Sequence, residues 1–176
     1  MKQVKQRLVW ILFIGVTLIF FAVGCKKSGT GPNNQPNNFN PWKDGDVSVS
    51  IAGVKWNANS VYAVDSSNII FIFAGASTTG GATAFPFIIM TFPDNTKEGT
   101  TADFDLSKSS LFQFYESQSL VYYADPVLGG TGSVHITKFN KSSKRLEGTF
   151  TASAKSAAAG GPTKSLTGGS FAVNYR

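Results

Sequence analysis

The sequence predicts an all-β domain built as an antiparallel meander of about nine or ten strands. Apolar and polar residues alternate along much of the chain, most clearly over residues 146–154. Clusters of Gly, Asn, Ser and Pro separate these segments at short intervals, as turns between strands do. Beyond the N-terminal region, no stretch keeps apolar residues at helical spacing between helix caps. These patterns favour a β-sandwich or an open barrel.

The first strands form a hairpin. Residues 47–51 and 54–57 alternate in polarity on either side of Ala52-Gly53, a tight-turn pair. A strand at 61–64 follows, and the turn residues 65–68 end it. Shorter strands are predicted farther along, at 100–106, 111–115 and 119–123.

Two segments, 69–74 and 85–92, are apolar on both strand faces. A strand of this kind needs cover on both sides. One interpretation is a central strand whose second face lies beneath a loop or another sheet. The other is that the second face is an apolar groove or a partner surface. Pro86 cannot donate to a strand ladder, so its strand is expected at an edge or with a bulge.

The last third has the clearest strand pattern. Residues 133–137, 146–154 and 170–175 alternate in polarity, and 140–143 form a turn. Leu166 has the opposite parity from the closing strand, and a bulge at Gly168-Gly169 would correct it. The sheet is therefore expected to have one solvent-exposed face and one buried face, as in an open, lipocalin-like barrel or a sandwich.

The N-terminus has the layout of an export signal. Lys2, Lys5 and Arg7 precede an apolar run over residues 8–23, and small residues lead to Cys25, the only cysteine. The run is somewhat short for a permanent span, which needs about 20 residues. The competing interpretation is an uncleaved membrane helix that ends in an incidental cysteine.

The segment Ala22-Val23-Gly24-Cys25 resembles the lipobox of bacterial lipoproteins. The resemblance implies cleavage between Gly24 and Cys25, a diacylglycerol on the Cys25 sulfur, and acylation, for example by palmitate, of the new amine. It divides the chain into a signal peptide (1–24), a lipidated cysteine with a flexible linker (25–41) and one all-β domain (42–176). The linker is rich in Gly, Pro and Asn, which oppose regular structure.

Three C-terminal segments carry a second resemblance. Residues 132–138, 146–150 and 166–171, with the hairpin at 53–56, are similar to an uncharacterised all-β domain of small Bacteroidetes lipoproteins. That family has no assigned activity, so the resemblance implies only a fold and a place in the cell envelope. The absence of Asp after Cys25 implies the outer membrane.

Charge and cysteine content exclude some partners. The formal charge of +6 includes three basic residues of the signal, and the remaining lysines are scattered. Nucleic acid is not expected as a partner because its binding requires a basic stripe. No cysteine beyond Cys25 could form a disulfide, so packing must hold the domain together.

Candidate chemistry is sparse. His135 is the only histidine and is predicted to lie on a strand surface, so no His-based triad or His-rich metal site is possible. Asp44 with Asp46, and Asp103 with Asp105, are close carboxylate pairs, but neither has the rest of a calcium loop. We therefore expect no enzyme activity, no metal and no cofactor.

Aromatic residues are the better candidates for recognition. Trp42, Trp56, Tyr122 and Tyr123 are the candidate ligand-binding residues, and Tyr62 and Tyr115 could extend a sugar-stacking platform. The competing interpretation places Trp56 in the core and Trp42 at its end, since large aromatic residues dominate small β cores.

The sequence thus predicts a lipid-anchored envelope protein that acts as a non-enzymatic binding or structural module. One alternative is a carbohydrate-binding accessory lipoprotein of an outer-membrane uptake system, with exposed aromatics on one flat face. The other is a small barrel that binds an apolar ligand in a Phe-lined cavity.

Overall fold

Strands dominate the residues that the computed structural model describes, which are 44–76, 84–158 and 160–176. The all-β prediction is confirmed, and the predicted Gly24, Cys25 and Trp42 sites lie outside these residues. Eleven strands are present in the described part: β1 (Gly45–Ile51), β2 (Val54–Asn57), β3 (Ser60–Ser66), β4 (Ile69–Ala76), β5 (Ala84–Pro93), β6 (Thr101–Asp103), β7 (Leu111–Tyr115), β8 (Val121–Tyr123), β9 (Thr131–Asn140), β10 (Arg145–Ser156) and β11 (Thr163–Asn174).

All eleven strands belong to one sheet, so the described residues form a curled half-barrel rather than a two-sheet sandwich. The main order is β2-β1-β11-β10-β8-β7-β5-β4-β3. Strand β10 pairs with β11 along one edge and with β9 and then β8 along the other. Short β6 pairs with the free edge of β9. The main strand order thus forms the meander, and β9 with β6 forms a side wing off this order.

Backbone hydrogen bonds join the two ends of this sheet. The β1–β2 hairpin pairs Ile51 with Val54. The Ala58 amide continues the same register by donating to the Val47 carbonyl at 2.9 Å, and the Asp44 amide donates to the Val61 carbonyl at 2.8 Å. Chain β2–β3 therefore bonds to β1 on one side and to β4 on the other, which curls the sheet back on itself.

The inner face of the sheet is filled by large side chains. Phe112 is fully buried, and its ring centroid lies 5.3 Å from that of Phe104 and 5.5 Å from that of Phe150. Phe92 lies 5.6 Å from Phe171 across the same interior. In the described residues these rings pack directly against one another.

Two predicted irregularities are observed. Strand β5 lies between β4 and β7, so of the two alternatives for Pro86, an edge or a bulge, the structure has the bulge. The register slips between Gly75 and Ala76, opposite Pro86. A second slip between Phe150 and Ala152 sets two β11 residues opposite one on β10. Gly168 lies there with φ +59, and Leu166 reaches the core as predicted.

The predicted strand at 100–106 is only partly correct. It stops at Asp103 and gives way to a 3₁₀ turn, Leu106–Lys108. The Asp105 carboxylate caps this turn by accepting the Ser107 amide at 2.9 Å, a local bond that competes with the ladder.

A second capping carboxylate bonds to both 3₁₀ turns. Asp125 is 2% exposed, precedes the 3₁₀ turn Pro126–Leu128, and accepts the amides of Leu106 and Val127, each at 2.8 Å. One buried carboxylate thus joins both turns.

Candidate functional site

The outer face of β3, β4, β5 and β7 carries a continuous row of aromatic rings. We call it the aromatic stripe, and it consists of Tyr62, Phe71, Phe73, Phe87 and Tyr115. Tyr62 lies directly opposite Phe73 on the neighbouring strand, and Phe87 lies opposite Tyr115. Phe71 lies two residues before Phe73 on β4, and Phe73 and Phe87 are diagonal neighbours on β4 and β5. Opposite and diagonal positions on one face both bring aromatic side chains within reach, so strand register assembles the row.

The rings of the aromatic stripe contact one another in sequence. The centroid of Phe73 lies 5.9 Å from Tyr62, 6.2 Å from Phe71 and 6.2 Å from Phe87. Phe87 lies 6.0 Å from Tyr115, in an edge-to-face arrangement. All five side chains are half-buried. Four strands at about 4.8 Å spacing make this row roughly 14 Å long.

The neighbours of the stripe on the same face are apolar or buried. Ile89 lies directly opposite Phe73 and is 3% exposed. Ile69 and Val64 are half-buried beside Phe71. Ile69 and Ile89 are outward residues of the two segments that the sequence showed to be apolar on both faces, 69–74 and 85–92. The inward residues of these segments, Ile70, Ile72, Ile88 and Met90, are fully buried. The apolar pattern on both faces is thus explained by one core face and one aromatic outer face.

Polar groups mark the two ends of the stripe. At the Tyr62 end the Arg176 guanidinium lies 5.2 Å from the ring centroid and bonds both Asp44 carboxylate oxygens, at 2.7 and 2.9 Å. At the other end Gln113 is buried and accepts the Tyr115 hydroxyl at 3.4 Å. Burial raises the pKa of Tyr115 above its ordinary value. Burial also raises the pKa of Tyr123, with a smaller contribution from the charge of Tyr115.

Four aromatic residues were predicted to bind a ligand. Trp42 lies outside the described residues, and Trp56, Tyr122 and Tyr123 are not part of the stripe. Tyr122 is 1% exposed with its ring in the core, and Tyr123 is 4% exposed. Neither offers a ring face to a ligand, because a residue buried this deeply is covered by its neighbours. Trp56 is partly buried and packs against the core. Tyr62 and Tyr115, named only as possible extensions, do lie in the stripe.

The Tyr122 hydroxyl belongs to a polar clamp at the rim. It donates to Glu116 Oε2 at 2.9 Å, and Lys164 Nζ lies 2.6 Å from Glu116 Oε1. Hydrogen bonds from Lys164 and then Tyr122 hold the pKa of Glu116 below its usual value. The same carboxylate raises the pKa of Lys164. This clamp ties the end of β7 to β11 across the sheet.

The other half of the sheet, formed by β1, β9, β10 and β11, has a different outer face. We call it the hydroxyl face, and it consists of the outward side chains Ser48, Ser133, His135, Thr149, Thr151, Ser153, Thr167 and Ser170. Ser48, Ser170, Thr149 and His135 are opposite one another in turn across four strands. Ser48 Oγ lies 3.0 Å from Ser170 Oγ, and Thr101 Oγ1 lies 3.0 Å from His135 Nδ1. His135 is exposed, as predicted.

In each carboxylate pair considered for calcium, at least one member is already bonded to other groups of the protein. Asp44 binds Arg176 and accepts the Ala63 amide, while Asp105 caps its own turn. Within the described ranges, no three His, Cys, Asp or Glu side chains are grouped so that they could hold a metal ion.

Comparison of the chain with protein-family models, with curated proteins and with solved structures finds no match. In the part of the chain that the structure describes, no helix is both long and apolar enough to cross a bilayer.

Proposed function

We propose that this chain is a lipid-anchored, non-enzymatic binding module of the bacterial cell envelope, with the aromatic stripe as its contact surface for an apolar face of another envelope protein. The export signal, the lipobox-like segment ending at Cys25 and the Asn/Pro/Gly-rich linker support an anchor at the outer membrane. Three acyl chains would hold the chain on a membrane, since one chain alone binds only reversibly.

The observation that carries the binding role is the aromatic stripe. Its rings lie half-buried on the outside of a single curled sheet, and adjoining aromatic rings are typical of contact surfaces. The residues beside it, such as Ile69 and Val64, are apolar, which suits a protein surface better than a glycan. A sugar requires hydrogen-bonding groups next to the rings that stack on it.

Photo-crosslinking in intact cells tests the binding role. With Phe71→p-benzoylphenylalanine, we expect one discrete protein adduct, identified by mass spectrometry and lost when Phe87→Ser is added. The same photoreactive residue at Thr149, on the hydroxyl face, is the matched control and should not give that adduct. Adducts with lipid alone, or none at position 71, would contradict the proposal.

Labelling with an alkyne fatty acid tests the anchor separately. Wild-type protein should take up the label and Cys25→Ala should not, because the proposed acylation begins at that sulfur. Label retained by Cys25→Ala would exclude the anchor while leaving the stripe untouched.

A further inference from the structure

A groove crosses the hydroxyl face where β10 and β11 slip in register. It has a volume of about 420 Å³. Its polar lining comes from four strands: Asp103, Thr131, Ser133, Thr151, Ser153 and Thr167. Ala152 and Leu166 lie beneath it and are 5% and 0% exposed, because their side chains belong to the core. The volume falls within the range of small-molecule sites, but the groove is open to solvent and not enclosed.

Strand register explains why these residues meet. Thr131 lies opposite Ser153, and Ser133 lies opposite both Thr151 and Asp103. The bulge adds Thr167 from β11, because two residues of that strand stand opposite Thr151 alone. Bulges often adjoin functional sites, where they redirect a side chain.

The polar side chains of the groove differ from their neighbours in the next row. There, Ser48 pairs with Ser170 and Thr101 pairs with His135. Within the described residues, none of the six polar groove side chains makes a side-chain hydrogen bond, so their oxygens remain available to a ligand. Asp103 is the only charged group among them, which disfavours an anionic ligand.

We propose that this groove binds a segment of a neutral, hydroxyl-rich saccharide chain. Five hydroxyls can each donate and accept, as sugar hydroxyls do, and the Asp103 carboxylate accepts from two of them at once. The site is separate from the aromatic stripe and does not depend on the function proposed for it.

The test uses full-length protein in lauryldimethylamine oxide, a detergent without a sugar head group. Hexasaccharides of β-1,4-glucose, α-1,4-glucose and β-1,4-N-acetylglucosamine are titrated by isothermal calorimetry. At least one should bind saturably. Thr151→Val with Thr167→Val should weaken that binding roughly tenfold or more, since each lost hydroxyl removes a hydrogen bond.

Two controls make the outcome decisive. Thr149→Val, on the same strand and face but outside the groove, should change affinity less than about twofold. Phe71→Ser should leave saccharide binding intact while removing the stripe contact. No binding by any of the three hexasaccharides would overturn the inference. So would unchanged affinity in a folded groove variant, or loss of binding only in Phe71→Ser.

Discussion

The aromatic stripe and the hydroxyl face lie on the outside of the same curled sheet, and they are made by the same alternation. Along β4 the outward residues are Ile69, Phe71 and Phe73, while along β10 they are Thr149, Thr151 and Ser153. The inward residues of both strands are buried and small or aliphatic, apart from Phe150. The inner pattern therefore specifies the fold, and the outer pattern is free to carry function. The rings of the stripe are not part of the inner core cluster, and we propose that they contact a partner.

The largest expected effect is the difference in stability lost when a ring is removed from the interior and when one is removed from the stripe. Phe112→Ala should lower the free energy of unfolding by about 3–5 kcal/mol, as for a fully buried ring. Phe73→Ala should lower it by about 1–2 kcal/mol, since Phe73 is half-buried and loses mainly its contacts with neighbouring rings. Urea denaturation measures both values. Equal losses would mean that the stripe is a second core and not a contact surface.

The next effect concerns the two 3₁₀ turns, Leu106–Lys108 and Pro126–Leu128, that Asp125 joins. Asp125→Ala should destabilise the protein by about 2–3 kcal/mol, because the buried carboxylate bonds two backbone amides. Amide exchange should accelerate at Leu106 and Val127 and remain unchanged in the stripe strands. Asp125→Asn keeps one acceptor oxygen and should lose less. Equal acceleration at Phe71 would show that the two regions are not independent.

A smaller, pH-dependent effect links the two regions. The Glu116 pKa is lowered in the folded state from 4.5, mainly by the bond from Lys164. Its contribution to stability is therefore complete above pH 4.5 and is lost as the pH falls through the lowered folded value. The thermal midpoint of Glu116→Gln should lie below that of wild type at pH 7, and the difference should narrow at acid pH. A constant difference would exclude titration of Glu116 as the cause.

The smallest effect is expected on the hydroxyl face. Thr149 is exposed and makes no side-chain hydrogen bond among the described residues, so Thr149→Val should change stability by less than about 0.5 kcal/mol. Calorimetric melting measures this directly. A loss approaching that of Phe73→Ala would remove the energetic contrast between the two faces.

Much of the fold could be predicted because period-two alternation sets which residues point inward. Leu146, Phe150 and Phe171 were placed correctly on that basis, and the bulge at Gly168 followed from the parity of Leu166. Barrel or sandwich could not be decided, because the bonds that curl the sheet join Asp44 to Val61 and Arg176 to Ala63 across distant parts of the chain.

The candidate sites were predicted less well. Apolar runs on both faces correctly indicated an unusual second face. The burial of both Tyr122 and Tyr123, which were considered as ligand-binding residues, could not be predicted from their position in a short apolar strand. The groove left no local signal. Asp103 and Thr167 meet near Thr151 only through strand order and a bulge.

Hydroxyl-radical footprinting tests most directly whether the stripe is a contact surface. The extent of labelling of the Phe71 and Tyr115 side chains would be compared with that of His135, on the hydroxyl face, in purified protein and in intact cells. The account predicts that Phe71 and Tyr115 are labelled in the purified protein and protected in cells, while His135 is labelled alike in both. Labelling of Phe71 and Tyr115 that is the same in both preparations would contradict it.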